Sequence, residues 1–185
     1  MKIIGLSGAL TSASTTRALV QAYLQATADH AQVSTGLVDL ADIATELGAA
    51  KDLRQLADNA AEAYHQVLEA DALIIAAPVS RTSYPGLFKH FFDLLDQTAL
   101  RGKTAIIAAT GPTLYSAILD QQLRPLLDYF GLYTLPIDTY LSEPEFAVLP
   151  FNQGYCIQND EALVRIRFAT QQLISLTKAK SGQAA

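Results

Sequence analysis

Apolar runs and helical stripes alternate along the chain. Residues 2–7, 33–39, 72–79, 104–110 and 133–138 are short, β-branched or alanine-rich, and bounded by glycine, proline or polar residues, which predicts strands covered on both faces. Between them, 14–28 carries Leu19, Val20, Tyr23 and Leu24 on one stripe, and 53–70 carries Leu56, Ala60, Ala63, Val67 and Leu68. Residues 85–97 carry Leu87, Phe88, Phe91, Phe92 and Leu95, a leucine-rich stretch covers 114–130, and 160–178 carries Leu163, Ile166, Phe168, Leu173 and Ile174. Five strands, each followed by a helix, predict a parallel sheet with right-handed crossovers, hence a doubly wound α/β domain. Ligands of such domains bind outside the carboxyl ends of the strands. Residues 142–159 have no clear period and read as a long ordered loop. The domain is expected to span 1–178, with a small, polar tail at 179–185 that frays.

Composition narrows the function classes. The 185 residues are 50% hydrophobic and 17% charged, which suits one well-buried domain. A net charge of -5 with 13 scattered basic residues argues against a nucleic-acid partner. Cys156 is the one cysteine, so neither an internal disulfide nor a cysteine-rich metal site can form, as suits a reducing cytosol. No secretory h-region is evident and no apolar run approaches a membrane span, so a cytoplasmic protein without a membrane partner is expected. His30, His65 and His90 are far apart and offer no metal spacing, so no metal is expected.

Candidate chemistry lies at three strand ends. After the first strand comes Ser7-Gly8-Ala9-Leu10-Thr11-Ser12-Ala13-Ser14-Thr15-Thr16-Arg17, where a strand-loop-helix setting points free N–H groups and hydroxyls at an anion. By itself this reads equally as a phosphate cradle or as a turn capping its own helix. The second end is Ala76-Ala77-Pro78-Val79-Ser80-Arg81-Thr82-Ser83-Tyr84-Pro85-Gly86, and the third is Ala109-Thr110-Gly111-Pro112-Thr113. Their small residues leave room for a flat ligand against main chain.

In order and spacing, Ser7-Gly8 with its Ser/Thr-rich continuation, Pro78-Val79-x-x-x-Ser83-Tyr84-Pro85-Gly86-x-Phe88-Lys89, and Ala109-Thr110-Gly111 resemble the three flavin-contacting loops of the NADPH-dependent FMN reductase family. The likeness is nearest to the reductase components of two-component alkanesulfonate monooxygenases. It implies a flavodoxin-like three-layer αβα sandwich with a five-stranded parallel sheet of order 2-1-3-4-5. It also implies FMN as cofactor, with NADPH or NADH as hydride donor. Carried over, it places the FMN phosphate on the loop bearing Thr11, Ser14, Thr15 and Thr16. The isoalloxazine then lies against Pro78, Val79, Ser80 and Arg81 near Ser83, with Thr110, Gly111 and Pro112 at its pyrimidine edge. Ala9 and Thr11 stand where the family has serine and arginine, which leaves Arg17 as the substitute cation or as a solvated side chain.

No catalytic acid or base is expected, because the cofactor carries the hydride chemistry. Arg81 is a candidate for pairing with an NADPH phosphate or the flavin, and Tyr84 for lining the nicotinamide side or packing at the helix start. The resemblance implies a homodimer or homotetramer built through helices around 85–97 and 114–130, and a partner monooxygenase. The family string Asp-aromatic-x-Leu-Lys-Pro, whose aromatic is tied to a π-helical bulge, reads here Asp120-Gln121-Gln122-Leu123-Arg124-Pro125. That substitution leaves a retained flavin as open as a diffusing one. Other acceptors (quinone, azo dye, metal oxyanion) and a flavodoxin-like carrier also remain open, although the first loop lacks the Thr-x-Thr-Gly-x-Thr of such carriers.

Overall fold

Side chains that alternate strictly between two faces make the apolar runs into one sheet. The computed structural model describes residues 1–30, 32–113 and 115–183. Strands β1 (Lys2–Ser7), β2 (Ser34–Asp39), β3 (Ala72–Pro78) and β4 (Thr104–Gly111) are parallel neighbours, and β5 (Tyr133–Thr134) completes the order β2-β1-β3-β4-β5. Ile3, Ala72, Ile74, Ala76, Ile106 and Ala108 point to one face, where they pack with helices α1 (Thr15–Ala28) and, at the end of the chain, Asp160–Gln183. Ile4, Leu6, Leu73, Ile75, Ala77, Ala105, Ile107 and Ala109 point to the other. There they meet α2 (Leu40–Ala49), α3 (Asp58–Glu69), α4 (Gly86–Asp93) and α5 (Arg124–Tyr129), the terminal helix being α6. Both faces are therefore buried, as a parallel sheet requires. Gly5 is needed for the close seating of α1, since a Cβ there would lie 2.4 Å from Val20 Cγ1.

Several elements differ from the sequence reading. The fifth run is two short strands: β5 pairs with Thr104 and Ala105, whereas β6 (Thr139–Ser142) pairs with Ala108 to Gly111. Pro136, which has no N–H for the ladder, lies in the gap. Arg124 spans it, donating to Thr134 Oγ1 (2.9 Å), Leu135 O (3.1 Å) and Asp138 (3.0 Å). Helix α2 was not expected; Asp39 caps it by accepting from Ala41 N at 3.2 Å. Its far end is closed by His90, whose Nε2 lies 3.1 and 2.9 Å from the Leu47 and Ala50 carbonyls.

The 53–70 stretch divides into a 3₁₀ turn (Leu53–Gln55) and α3, and α4 ends earlier than residue 97. The leucine-rich stretch contains a five-residue π-helix, Leu119–Leu123, running into α5; Leu114, its expected start, lies outside the described residues. Residues 142–159 are not a plain loop but hold an antiparallel hairpin, β7 (Phe146–Val148) and β8 (Tyr155–Ile157). The expected boundary at 178 falls inside α6, which continues to Gln183, and Ala184 and Ala185 lie outside the described residues. Among the described residues no helix is long and apolar enough to cross a membrane.

Candidate functional site

Direct hydrogen bonds tie the three strand-end loops into one carboxyl edge. Gly8 N donates to Ala76 O at 2.8 Å, joining the first loop to the second, and Val79 N donates to Thr110 O at 2.7 Å, joining the second to the third. The hydroxyls of Thr16 and Thr110 share a buried hydrogen bond of 2.6 Å between the first and third. Gly8 has no space for a side chain, as a Cβ would lie 2.4 Å from Phe88 Cδ2.

The first loop is short of partners. Ser14 caps α1, its Oγ accepting from Arg17 N at 3.0 Å. From Leu10 to Thr16, no N–H donates to an acceptor among the described residues. Thr11 and Ser12 are exposed and Thr15 is half-buried. Free amides at the start of a 14-residue helix, with hydroxyls beside them, are donors that an anion could accept from, on the side the helix dipole favours. Thr16 differs from its neighbours because it turns inward to Thr110.

Arg17 is neither of the things its position suggested. It pairs with Asp39 at 2.8 Å and reaches Asp42 at 3.5 Å, so its charge is committed within the fold. Burial pushes the Asp39 carboxyl above its ordinary pKa, while the Ala41 N–H and Arg17 pull it the other way. Between this loop and the β7–β8 hairpin is a cavity of about 440 Å³, lined by Ser12, Ser14, Arg17, Gln21, Leu149 and Tyr155 among others.

The second loop is strained and clamped. Ser83 N donates to Ser80 O at 3.0 Å and Ser80 N to Ser83 O at 2.5 Å, closing a two-residue turn. Its central residues, Arg81 and Thr82, have φ of 48° and 70°. Such a pair suits a type I′ turn, but glycine and asparagine are the residues that favour it. Each non-glycine residue held this way costs on the order of 1–3 kcal/mol. Gln122, from the π-helix, holds the turn: its Nε2 donates to Thr82 O at 3.0 Å, and its Oε1 accepts from Ser83 Oγ. Pro78 and Val79 are half-buried, while Ser80 and Arg81 are exposed. Tyr84 packs on Phe88 with ring centroids 5.3 Å apart at the helix start, and burial raises its pKa.

In the third loop Thr110 is buried, Gly111 half-buried and Pro112 exposed. A Cβ on Gly111 would lie 2.7 Å from Val79 Cβ and 2.8 Å from Tyr140 Oη, so this glycine lets the second and third loops meet. The Tyr140 hydroxyl donates to Pro112 O at 2.5 Å. The twelve expected residues thus share one edge, although the hydroxyls of Thr16, Thr110 and Ser83 are turned into the protein.

Sequence reasoning missed Gln122, Tyr140 and Asp39. Thr16 had a usable signal, since it stands three, four and seven residues before Leu19, Val20 and Tyr23 on the buried stripe. Gln122 had none. Among the described residues, no group of three or more His, Cys, Asp or Glu side chains is placed to hold a metal.

Comparison with known proteins places the chain in a family. Residues 1–145 match the family model described as NADPH-dependent FMN reductase. Over 177 residues, 95% of this chain and 91% of the relative, the sequence is 40% identical to an NADH-dependent FMN reductase, SfnF, of Pseudomonas fluorescens. It is 36% identical over 181 residues, 97% of this chain and 94% of the relative, to an FMN reductase (NADPH) of Pseudomonas aeruginosa. Among solved structures, an oxidoreductase from Corynebacterium diphtheriae superposes with a TM-score of 0.82 at 31% identity, covering 96% of this chain and 97% of that one. An archaeal flavodoxin, at 14% identity and a TM-score of 0.64 over 96% of this chain and 99% of that one, shares the fold.

Proposed function

The chain belongs to the NADPH-dependent FMN reductase family, an NAD(P)H-dependent flavin oxidoreductase, and we propose that its three-loop carboxyl edge is where hydride passes from nicotinamide to FMN. One observation carries this placement: the uncommitted N–H groups of Leu10 to Thr16 open a helix beside two further strand ends bonded to the same loop. Bound there, FMN would supply the hydride-accepting ring. The amides of 10–16, with Thr11, Ser14 and Thr15, would hold its phosphate. Pro78, Val79, Ser80 and Arg81 would face its ring, with Gly111 and Pro112 at the pyrimidine edge. Thr16, Thr110 and Ser83 would act through the positions of these loops rather than through contact.

Without an arginine in the cradle, the phosphate would be held by dipoles and hydroxyls, and Arg81 is the exposed cation at the edge. Its place suits the negative charge of a nicotinamide cofactor. The π-helix forms with Gln121 in the place of the family's aromatic residue. Release of reduced flavin to a monooxygenase and retention for another acceptor therefore both fit, and relatives are named for NADH and for NADPH alike. Association of copies through α4 and the π-helix–α5 segment, where Tyr129 is 60% exposed, completes the reading, with a cytoplasmic location.

Anaerobic mixing of NADPH or NADH with FMN-loaded protein tests it. Bleaching of the flavin absorbance at a rate that saturates with nicotinamide is expected. No bleaching with either donor, while dithionite bleaches the flavin, would replace this reading with an electron carrier.

A further inference from the structure

The π-helix and the strained turn are joined by one side chain. Gln122 donates to Thr82 O and accepts from Ser83 Oγ, across 40 and 39 residues of sequence. Its own backbone is fixed on both sides. Leu119 and Leu123 at the ends of the π-helix are buried. The next residue, Arg124, bonds to Asp120, Thr134, Leu135 O and Asp138. A π-turn contains an extra residue relative to an α-turn and so changes the directions in which its side chains leave. Here one of them reaches the turn after β3.

We infer that Gln122 is a positioning residue for the flavin-facing turn, holding Arg81 and Thr82 in the left-handed conformation that presents Ser80 and Arg81 at the edge. This rests on the reading that the turn faces FMN. An amide suits the task because it donates to a carbonyl and accepts from a hydroxyl at once. Glutamate at this position keeps only the acceptor, and alanine keeps neither. The π-helix thus has a role inside a single copy of the chain, which explains its presence without the aromatic residue.

The test uses full-length wild type, Gln122→Ala, Gln122→Glu and Gln122→Ala/Thr82→Gly. Glycine adopts positive φ without steric cost, so it should restore the turn without restoring the clamp. Gln122→Ala is expected to raise the Kd for FMN roughly tenfold and alter the visible circular dichroism of the bound flavin. Gln122→Glu should fall between alanine and wild type, and Thr82→Gly in the alanine background should recover both readouts. In flavin-free protein, trypsin should cut after Arg81 faster in Gln122→Ala than in wild type. Unchanged FMN affinity and dichroism in Gln122→Ala would overturn the inference. A raised Kd that Thr82→Gly does not rescue would also overturn it, by showing that Gln122 acts on the ligand itself. If wild type binds no FMN, the proposed function falls, and equal rates of cutting at Arg81 would then overturn the clamp as well.

Discussion

The two ends of the same sheet treat their polar groups in opposite ways. At the amino ends, Lys103 Nζ donates to Leu68 O (2.8 Å) and Ala70 O (2.6 Å), closing the end of α3. Lys180 Nζ donates to Gly102 O at 3.0 Å and lies 3.2 Å from the centre of the Tyr133 ring. Lys2 pairs with Glu69 at 3.2 Å, and its N–H donates to Asp71 at 2.7 Å. At the carboxyl ends, the seven N–H groups of Leu10 to Thr16 have no acceptor among the described residues, and a turn is held in a conformation that its residues disfavour. Charge alone would put an anion site at the lysine-rich end. Uncommitted donors lie at the other, where Arg17 is already paired with carboxylates. In the proposed function, the site is marked by what the fold has left unbonded.

The comparison breaks most sharply at the Thr16–Thr110 bond. Thr16→Val leaves the Thr110 hydroxyl buried without its partner, an expected loss of about 1–3 kcal/mol. Because the bond joins the first and third loops, FMN affinity should fall with it. Thr16→Val/Thr110→Val should be less destabilised than the two single changes added together, since neither hydroxyl is then orphaned. Chemical denaturation and flavin titration of the three variants check this; strict additivity would mean that the bond does not join the loops.

A smaller effect is expected at the amino end. Lys103→Met should cost about 1 kcal/mol through lost hydrogen bonds to carbonyls, with FMN affinity unchanged. The pH dependence has a definite sign. Burial lowers the Lys103 pKa from its ordinary value of 10.5, with Asp71 opposing, so the folded protein holds this proton less tightly than the unfolded chain. The lysine therefore contributes a rise in stability with pH over the window that ends at 10.5. Denaturation midpoints measured up to that pH should show the rise in wild type and lack it in Lys103→Met.

The centre of the sheet was legible because β1, β3 and β4 are nearly continuous apolar runs that leave little choice of structure. Its order came with the likeness of the three loops. Features set by tertiary contacts were not legible. Pro136 gave a reason for the broken fifth strand, yet the resumption at Thr139 depends on Arg124 reaching across the gap. Helix α2 follows β2 without a break, and the Asp39 cap that starts it was hidden in the strand's last position. The location of the candidate site was legible because its loops are small and polar at strand ends. Side-chain roles within it were less so: a run of hydroxyls does not declare which one turns inward, and a glutamine in a leucine-rich helix does not announce the turn it holds.

The central claim is that the unbonded amides opening α1 hold the phosphate of the flavin. Equilibrium titration of the protein with FMN and with riboflavin, which differ only in that phosphate, tests it most directly. FMN is expected to bind at least roughly tenfold more tightly, the scale of one or two hydrogen bonds to a charged group, with the advantage shrinking as salt is raised. Equal affinities for the two flavins at low salt would contradict the account.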